Sequence, residues 1–281
     1  MNAPDSFTTI RGQQRAKLVL EDLEKIMLDF VRKHQITHDE YRIATGILTA
    51  TVKAGEETLL YDVFLEAEAT DIGNLGREGS PQALEGPFHL PGAPLLQAPY
   101  VLPQRPGEAG DILLFCGSVT DDTGKPMSGA EMDVWQADAQ GLYSNIHPGI
   151  PDWNLRGRFV TDEDGFFEVR SIVPPPYEIP KNGPTGQVLK AMSRHFFRPA
   201  HLHVKVHAAG CLDLTTQLYF SGGQYLENDV ANGVRDGLVT TLTRRDSQSA
   251  LAAKGLDKPY IEVRYDFVLK RRQAGQQVAA A

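Results

Sequence analysis

Short runs of alternating apolar and polar residues fill the second half of the chain. In HLHVKVH (201–207), Leu202, Val204 and Val206 fall on one parity, and His201 and His203 fall on the other. Successive side chains of a β-strand point to opposite faces of the sheet, so this pattern predicts a strand with the two imidazoles side by side. Six further runs between turn signals, from ILLFCGSV to YIEVRYDFVL, raise the prediction to seven or more strands. Strands of this length and spacing are typical of an antiparallel β-sandwich.

A helical period replaces the alternation near the N-terminus. Apolar residues recur there at spacings of three and four and form one stripe, which consists of Val19, Leu23, Ile26, Met27 and Phe30. The sequence Thr-His-Asp-Glu at 37–40 is a capping box, which predicts a second helix as far as about Val52. The segment from Thr58 to Leu65 predicts a third, shorter helix.

Glycine and proline mark the segment between the helical and the β patterns. Residues 70–110 contain GREGSPQALEGPFHLPGAP and show no clear period, so we expect a linker that crosses the surface and lines a cleft. Together the patterns predict a mostly β protein. Its parts are an α-helical N-terminal domain over residues 1–69, the linker over residues 70–110 and a β-sandwich domain over residues 111–281.

Composition and charge narrow the range of partners. The chain of 281 residues has a net charge of −8 and no basic patch beyond the short cluster at 270–272, which argues against nucleic acid or an anionic membrane surface. The apolar run at 112–116 is too short for a membrane span, and the N-terminal residues lack the apolar core of a signal peptide. Cys116 and Cys211 lie far apart, so we expect two reduced thiols in a cytoplasmic protein.

The two histidines of HLHVKVH form a candidate metal site. Neutral imidazole suits zinc, copper and iron alike, so His201 and His203 alone do not identify the metal. A zinc hydrolase or an iron(II) facial-triad enzyme needs a carboxylate ligand, and no acidic residue lies within this strand. Two tyrosines offer a different donor: Tyr143 follows DVWQA, and Tyr177 lies in VPPPYEIP, where prolines restrict the backbone. Phenolate favours ferric iron, and two phenolates with one hydroxide balance its three positive charges.

Several motifs resemble those of the intradiol ring-cleavage dioxygenases, and specifically those of the catechol 1,2-dioxygenase group. The motifs are DVWQAxxxGxYS at 133–144, the proline-rich loop that precedes Tyr177, and RPAHxH at 198–203. EGPFHLPGAP, GPTGQVL and TTQLYF also fit that group. The resemblance extends from the N-terminal helices to about Leu269.

The resemblance implies one ferric, non-haem iron per subunit, held by Tyr143, Tyr177, His201 and His203. It implies that O2 cleaves a 1,2-dihydroxybenzene between its two hydroxylated carbons to give a cis,cis-muconate. It also implies that the N-terminal helices form a homodimer interface, at which related proteins hold a lipid-like molecule. The β-sandwich would then be the catalytic domain.

The same resemblance assigns catalytic roles to three side chains. Tyr177 would move aside for the substrate and accept a proton, Arg198 would stabilise negative charge on the substrate ring, and Gln217 would orient intermediates. Without the resemblance, Arg198 fits a structural ion pair equally well, and Gln217 fits a strand amide that bonds to the backbone.

The substrate pocket is placed by resemblance on the third predicted helix and on the linker. Its residues are Leu59, Asp62, Val63, Pro87 and Phe88, together with Arg198. An aromatic residue at Phe88 resembles the chlorocatechol and hydroxyquinol enzymes, whereas Ala231 resembles the catechol enzymes. These signals conflict, so the sequence leaves the ring substituent open.

Two other classes of function stay open on the sequence alone. A non-catalytic, transthyretin-like β-sandwich module would have the same turns and strands, although it has no reason to combine two tyrosines, two histidines and Arg198. A copper or zinc protein would use His201 and His203 without the tyrosines.

Overall fold

The first two helices follow the predicted capping and periodicity. A computed structural model describes residues 10–56 and 58–272, and α1 spans Ile10–His34 while α2 spans His38–Ala54. Both halves of the predicted capping box are present: Glu40 N–H donates to Thr37 Oγ1 at 3.3 Å, and Thr37 N–H donates to Glu40 Oε2 at 2.8 Å. Gly55 then ends α2 with φ of +70°, a backbone conformation that glycine adopts without a Cβ penalty.

Large apolar side chains along α1, from Leu18 to Val31, are exposed. They are 41–65% accessible, and they are Leu18, Val19, Leu20, Leu23, Ile26, Met27, Leu28, Phe30 and Val31. A contiguous exposed apolar surface of this kind marks an interaction site more often than an ordinary solvated face. The predicted stripe therefore exists on the helix, and its side chains are exposed.

The third helical region is longer and less regular than its sequence suggests. It consists of α3 (Leu59–Tyr61), a π-helical turn (Asp62–Glu66) and α4 (Ala67–Asn74), where a single helix from Thr58 to Leu65 was expected. The Asn74 side chain ends it by pairing with the backbone N–H and C=O of Gln82, both at 2.9 Å. The chain divides into two compact units after Gly55, which is earlier than the expected domain boundary after residue 69.

All seven apolar runs of the second half form strands. In chain order the strands and remaining helices are β1 (Tyr100–Val101), β2 (Ile112–Asp121), β3 (Glu131–Trp135), β4 (Arg156–Val160), β5 (Phe166–Ile172), β6 (Tyr177–Glu178), α5 (Pro184–Ala191), β7 (Phe197–Arg198), β8 (His201–His207), β9 (Leu214–Phe220), β10 (Val239–Thr240), β11 (Thr243–Arg245), α6 (Gln248–Lys254), β12 (Tyr260–Arg264) and β13 (Phe267–Leu269). The last predicted run, YIEVRYDFVL, is divided into β12 and β13.

The strands form two larger sheets and one small pair. One sheet has the order β1-β5-β2-β12-β11, with β13 also on β2; the other has the order β10-β9-β8-β3-β4; and β6 pairs with β7. An antiparallel sandwich was expected, whereas the sheets are mixed. The pairs β2/β5, β3/β4, β3/β8 and β8/β9 are antiparallel, but β1/β5, β2/β12, β2/β13 and β9/β10 are parallel. Alternation of apolar residues specifies which face of a strand is buried, but it carries no information about strand direction.

One hydrophobic cluster contains buried side chains of both large sheets. Phe115 and Phe167 come from the first sheet, while Met132, Val204 and Leu218 come from the second. Leu202, Val204 and Val206 of β8 are in this cluster, as the alternation predicted, so the histidines lie on the opposite face of β8.

Cys116 and Cys211 are both buried free thiols. No helix within residues 10–56 and 58–272 is long and apolar enough to cross a membrane.

Candidate active site

Strand β8 holds two imidazoles against each other below the protein surface. His201 and His203 are 2% and 1% exposed, and their Nε2 atoms are 3.0 Å apart. His201 Nδ1 lies 2.7 Å from the Pro199 carbonyl oxygen. Because a carbonyl oxygen only accepts hydrogen bonds, Nδ1 carries the ring proton and Nε2 is the bare nitrogen that faces the site.

Two tyrosine rings meet the imidazoles, Tyr143 from a loop and Tyr177 from strand β6. Tyr143 Oη lies 3.2 Å from His203 Nε2, and the Tyr177 ring lies 5.4 Å from that of Tyr143 and 5.5 Å from that of His201, measured between centroids. Gly141 makes this approach feasible: its φ is +80°, and a Cβ at this position would lie 2.8 Å from Tyr177 Cβ. The structure thus brings together all four side chains that the sequence singled out as metal ligands.

Burial determines the protonation states of these four groups. Burial, with a further contribution from the Arg198 guanidinium, lowers the pKa of His201 to about 3. Burial and the neighbouring His201 lower the pKa of His203 well below its usual value. Burial also raises the pKa of both Tyr143 and Tyr177, and for Tyr143 the adjacent Tyr177 adds to the effect. Two neutral imidazoles and two phenols therefore face one another, and the phenols become phenolates only beside a cation.

The guanidinium of Arg198 lies next to the histidine pair. Tyr177 and Arg198 are directly opposite each other in the β6–β7 pair, and Arg198 Nη1 is 3.4 Å from His201 Nε2. Arg198 is buried and forms an ion pair with Asp229, whose oxygens accept from Nε at 3.1 Å and from Nη2 at 2.9 Å. The ion pair that sequence reasoning left open is therefore present, and it coexists with a position at the site.

Gln217 adjoins both Arg198 and His203. It is opposite His203 in the β8–β9 register, and its Oε1 accepts from Arg198 Nη2 at 2.9 Å. Its Nε2 donates to the Leu84 carbonyl at 2.7 Å and lies 3.3 Å from His203 Nδ1. The amide orientation is fixed, because only the oxygen can accept from the guanidinium.

A narrow cavity lies beside Tyr177 and Arg198. It is lined by Leu59, Asp62, Val63, Glu66, Leu84, Gly86, Pro87, Phe88, Tyr177, Ile179, Arg198 and Ala231. All six residues predicted for the substrate pocket are among them. Burial raises the pKa of Asp62, and burial together with the nearby Asp62 charge raises the pKa of Glu66. The cavity is thus mainly apolar, with two carboxyl groups contributed by the π-helical turn.

Comparison with known proteins assigns the chain to a family. Residues 84–271 match the family model Dioxygenase_C, whose description is Dioxygenase. The chain is 41% identical to the chlorocatechol 1,2-dioxygenase of Rhodococcus opacus over 231 residues, which are 81% of this chain and 90% of that protein. It is 37% identical to the chlorocatechol 1,2-dioxygenase of Pseudomonas putida over 270 residues, 96% of this chain and 97% of that protein. The chain belongs to the intradiol ring-cleavage dioxygenases.

A solved structure supports the same assignment at the level of the fold. The crystal structure of 3-chlorocatechol 1,2-dioxygenase from Rhodococcus opacus 1CP superposes with a TM-score of 0.85 at 39% sequence identity. The match covers 92% of this chain and 99% of that one. The alternative of a non-catalytic carrier module is therefore wrong: the fold is β-rich, and the chain is a dioxygenase.

A copper or zinc ion held by His201 and His203 would need further ligands from the protein. Such sites usually combine histidine with additional His, Cys, Asp or Glu ligands. Across the described ranges 10–56 and 58–272, no group of three or more of these residue types is arranged to hold a metal ion. A metal held by His201 and His203 would have to draw on other donor types, and the tyrosine hydroxyls are the ones at hand.

Arg156 is a buried arginine of the dioxygenase that no sequence pattern indicated, and it holds part of the pocket wall by hydrogen bonds. Arg156 donates to the Phe88 carbonyl at 2.6 Å and to the Ser144 carbonyl at 3.1 Å, and its guanidinium lies 5.7 Å from the Tyr143 ring centroid. Phe88 in turn packs on Tyr143, with 4.7 Å between ring centroids. The only sequence signal was an arginine at the start of a strand, which is ordinarily a surface residue.

Trp135, Tyr219 and Asp229 also adjoin the site. Trp135 stacks on His203 with centroids 4.6 Å apart and ring planes 12° apart, because the two residues are opposite each other in the β3–β8 register. Tyr219 Oη accepts from Arg198 Nη2 at 2.9 Å. Nothing in the sequence connected Asp229 with Arg198.

Proposed function

We propose that Tyr143, Tyr177, His201 and His203 hold one ferric iron per subunit, and that the enzyme cleaves a 1,2-dihydroxybenzene with O2 between its hydroxylated carbons to give a cis,cis-muconate. The observation that carries the proposal is the convergence of two phenols and two neutral imidazoles in one buried place. Two phenolates offset most of the charge of a trivalent cation, so this donor set fits ferric iron. When bound, ferric iron would supply a Lewis acid that draws electron density from the diol and activates its ring towards O2.

The remaining steps belong to side chains of this protein. With ferric iron bound, Tyr177 would be a phenolate, and its oxygen would accept a proton from one substrate hydroxyl as a general base. The Arg198 guanidinium, held beside His201, stabilises negative charge that develops on the ring and its oxygens. Gln217, anchored to the Leu84 carbonyl, presents its amide next to His203 and orients the reacting groups.

The preferred substrate in this proposal is a chlorinated catechol. The cavity walls at Leu59, Val63, Phe88, Ile179 and Ala231 are apolar, and an apolar wall accepts a chlorine substituent without an unpaired polar group. Two relatives that cover most of this chain are chlorocatechol 1,2-dioxygenases. Small differences in an apolar pocket discriminate by about 1–3 kcal/mol, so catechol itself is a slower substrate rather than a rejected one.

The proposal includes a homodimer formed through the N-terminal helices. The support is the exposed apolar surface of α1, which a second copy would cover. A lipid-like molecule between the two copies fits the same surface. The second unit, whose two sheets share one hydrophobic cluster, would then be a β-sandwich catalytic domain.

Oxygen uptake and product analysis test this function. Iron-loaded enzyme is supplied with catechol, 3-chlorocatechol, 4-chlorocatechol or hydroxyquinol, and the product is identified by mass and ultraviolet spectrum. We expect cis,cis-muconates and the highest kcat/KM for a chlorocatechol. A product cleaved outside the two hydroxylated carbons, or no oxygen uptake by iron-loaded protein, would contradict the proposed reaction. A preference for hydroxyquinol would contradict the proposed substrate alone.

A matched pair of variants tests the pocket assignment. Ala231→Leu fills the cavity wall, so we expect kcat/KM for the chlorocatechols to fall about 10-fold or more relative to that for catechol. Ala253→Leu adds the same side chain at an exposed position of α6 and should change neither value. Equal losses for all substrates in Ala231→Leu would show that Ala231 does not face the ring substituent.

A further inference from the structure

A buried carboxylate behind Arg198 has no part in the function proposed above. Asp229 accepts four hydrogen bonds: from Arg198 Nε at 3.1 Å and Nη2 at 2.9 Å, from Ala231 N–H at 3.1 Å and from Gly233 N–H at 2.9 Å. Both carboxylate oxygens are thereby satisfied, each by one guanidinium and one backbone donor. One side chain thus joins the guanidinium to the turn at 229–233.

Gly233 lies close to the same guanidinium on another side. A Cβ on Gly233 would lie 2.5 Å from Arg198 Nη2 and 2.7 Å from Tyr219 Oη. The φ of Gly233 lies outside the left-handed region, so the backbone itself would accept alanine. What the position requires is the absence of a side chain, which leaves room for Arg198 in its present place.

The turn between Asp229 and Gly233 also reaches the cavity beside Arg198. Ala231 lines the cavity together with Arg198. We propose that Asp229 is a positioning residue which, together with Gly233, fixes the Arg198 guanidinium against the reacting end of the substrate. The inference rests on the proposed function, because only cleavage of a diol at this site gives Arg198 reacting atoms to act on.

The physical expectation follows from the flexibility of arginine. Without the carboxylate, Nε and Nη2 lose their charged acceptor, and the contacts with Gln217 and Tyr219 hold only Nη2. Displacements of about 1 Å at a catalytic group cost on the order of 10²-fold in rate. Arg198 acts mainly on charge that develops as the diol reacts, so the loss should fall mostly on kcat and only slightly on KM.

Asp229→Asn, with Asp236→Asn as its control, tests this expectation in the iron-loaded enzyme. Asp236 is an exposed carboxylate seven positions further along the same segment. We expect Asp229→Asn to lower kcat about 10²-fold, with KM and the visible spectrum of the resting enzyme close to wild type, and Asp236→Asn to match wild type. Because Asp229 acts through Arg198, the double variant Asp229→Asn/Arg198→Gln should be no slower than Arg198→Gln alone. Additive losses, or normal turnover in Asp229→Asn, would overturn the proposal.

Gly233→Ala provides a test that leaves every charge in place, and it decides the matter if Asp229→Asn does not fold. The added methyl group should displace the guanidinium and lower kcat, whereas Gly73→Ala should have no effect, since a Cβ there meets only Gln82 Oε1 at 3.9 Å. A normal kcat in Gly233→Ala would count against the proposal.

Crystal structures of the iron-loaded variants separate this inference from the proposed function. We expect the Arg198 guanidinium to leave its contact with Gln217 in Asp229→Asn or in Gly233→Ala. An unmoved guanidinium in both would refute the positioning role. If the wild-type enzyme cleaves none of the diols, the proposed function fails, and these structures still show whether Asp229 positions Arg198.

Discussion

Burial controls the charge of each donor at the scale of single side chains. His201, with a pKa lowered to about 3, stays neutral and keeps its Nε2 lone pair at any pH near neutrality. The two tyrosines have raised pKa values, so in the absence of a cation they keep their protons. A trivalent cation would reverse that preference, and a phenolate that leaves the cation would regain a high proton affinity in this buried place. In this site, therefore, the tyrosines and not the histidines are the groups that would accept protons.

Tyr177→Phe removes one of these two bases. We expect kcat to fall about 10²- to 10⁴-fold, the usual contribution of a positioned acid or base. The iron content should change little, because Tyr143, His201 and His203 remain. Steady-state oxygen uptake together with metal analysis measures both quantities.

Tyr61→Phe is the matched control for this substitution. Tyr61 is 49% exposed, so loss of its hydroxyl should leave turnover and iron content at wild-type levels. Near-normal turnover in a folded Tyr177→Phe enzyme would remove Tyr177 from its proposed role.

The residues of the site differ in how far sequence could predict them. The shared face of His201 and His203 follows from the period of a strand, which is a local property. Tyr177 could be named from the sequence as an oxygen donor, but its place beside the histidines and the roles of Arg198 and Gln217 needed the family resemblance. Tyr177 and Gln217 reach the site only through the pairing of separate strands. Asp229 and Arg156 escaped prediction entirely, since burial of a charged residue depends on tertiary partners that no local pattern encodes.

At the scale of elements, local signals were reliable and long-range ones were absent. The capping box of α2 was predicted because both of its hydrogen bonds lie within four residues. The π-helical turn at 62–66 and the parallel partners of β2 were not predicted. Both depend on distant chain segments, and the π turn occurs where Asp62, Val63 and Glu66 line the cavity. Such turns are frequent at functional sites.

The end of β13 is attached to the end of β2 by a charged cluster. Arg271 Nε donates to Asp122 Oδ1 at 2.5 Å, Lys270 Nζ lies 3.1 Å from Asp122 Oδ2, and Lys270 also pairs with Glu78. The hydrogen bond from Arg271 is the largest of the effects that lower the pKa of Asp122, from its ordinary value of 3.8 to about 2. A carboxylate whose pKa is lower in the folded state stabilises that state above pH 3.8, and the contribution is lost as the pH falls towards 2.

Asp122→Asn should therefore be destabilising at pH 7 and progressively less so below pH 3.8. Urea unfolding midpoints of wild type and variant at pH 7, 5, 4 and 3 measure the difference. The exposed Asp236→Asn should match wild type at each pH. A difference for Asp122→Asn that is as large at pH 3 as at pH 7 would show that the effect does not come from the charged cluster.

At the scale of the whole molecule, the two units differ in how far each one buries its own apolar side chains. The second unit buries its apolar residues in the cluster between its sheets, whereas α1 in the first unit leaves nine large apolar side chains exposed. Covering such side chains in a dimer contributes about 1.5–3 kcal/mol for each one that becomes fully buried. A second copy of the chain is the occupant we propose, since the same stripe on two identical helices can satisfy both.

Ile26→Glu places a carboxylate in the middle of this stripe, where the native side chain is 65% exposed. We expect the dimer dissociation constant to rise at least about 10-fold, because the variant loses the burial of one apolar side chain and must desolvate a charge. Sedimentation equilibrium measures the constant. Lys25→Glu, a larger change in charge at the adjacent position, should have a smaller effect. A wild-type protein that is monomeric at all concentrations would contradict the proposed interface.

Phenolate ligation of ferric iron is tested most directly by the iron content of the purified protein and by its visible absorption spectrum, recorded before and after anaerobic addition of catechol. Two phenolates on ferric iron give a broad charge-transfer band, so we predict a red protein whose band shifts when the diol binds. A protein that contains one iron per chain and yet is colourless would contradict ligation by Tyr143 and Tyr177, and with it the central claim that phenolate ligands hold the metal.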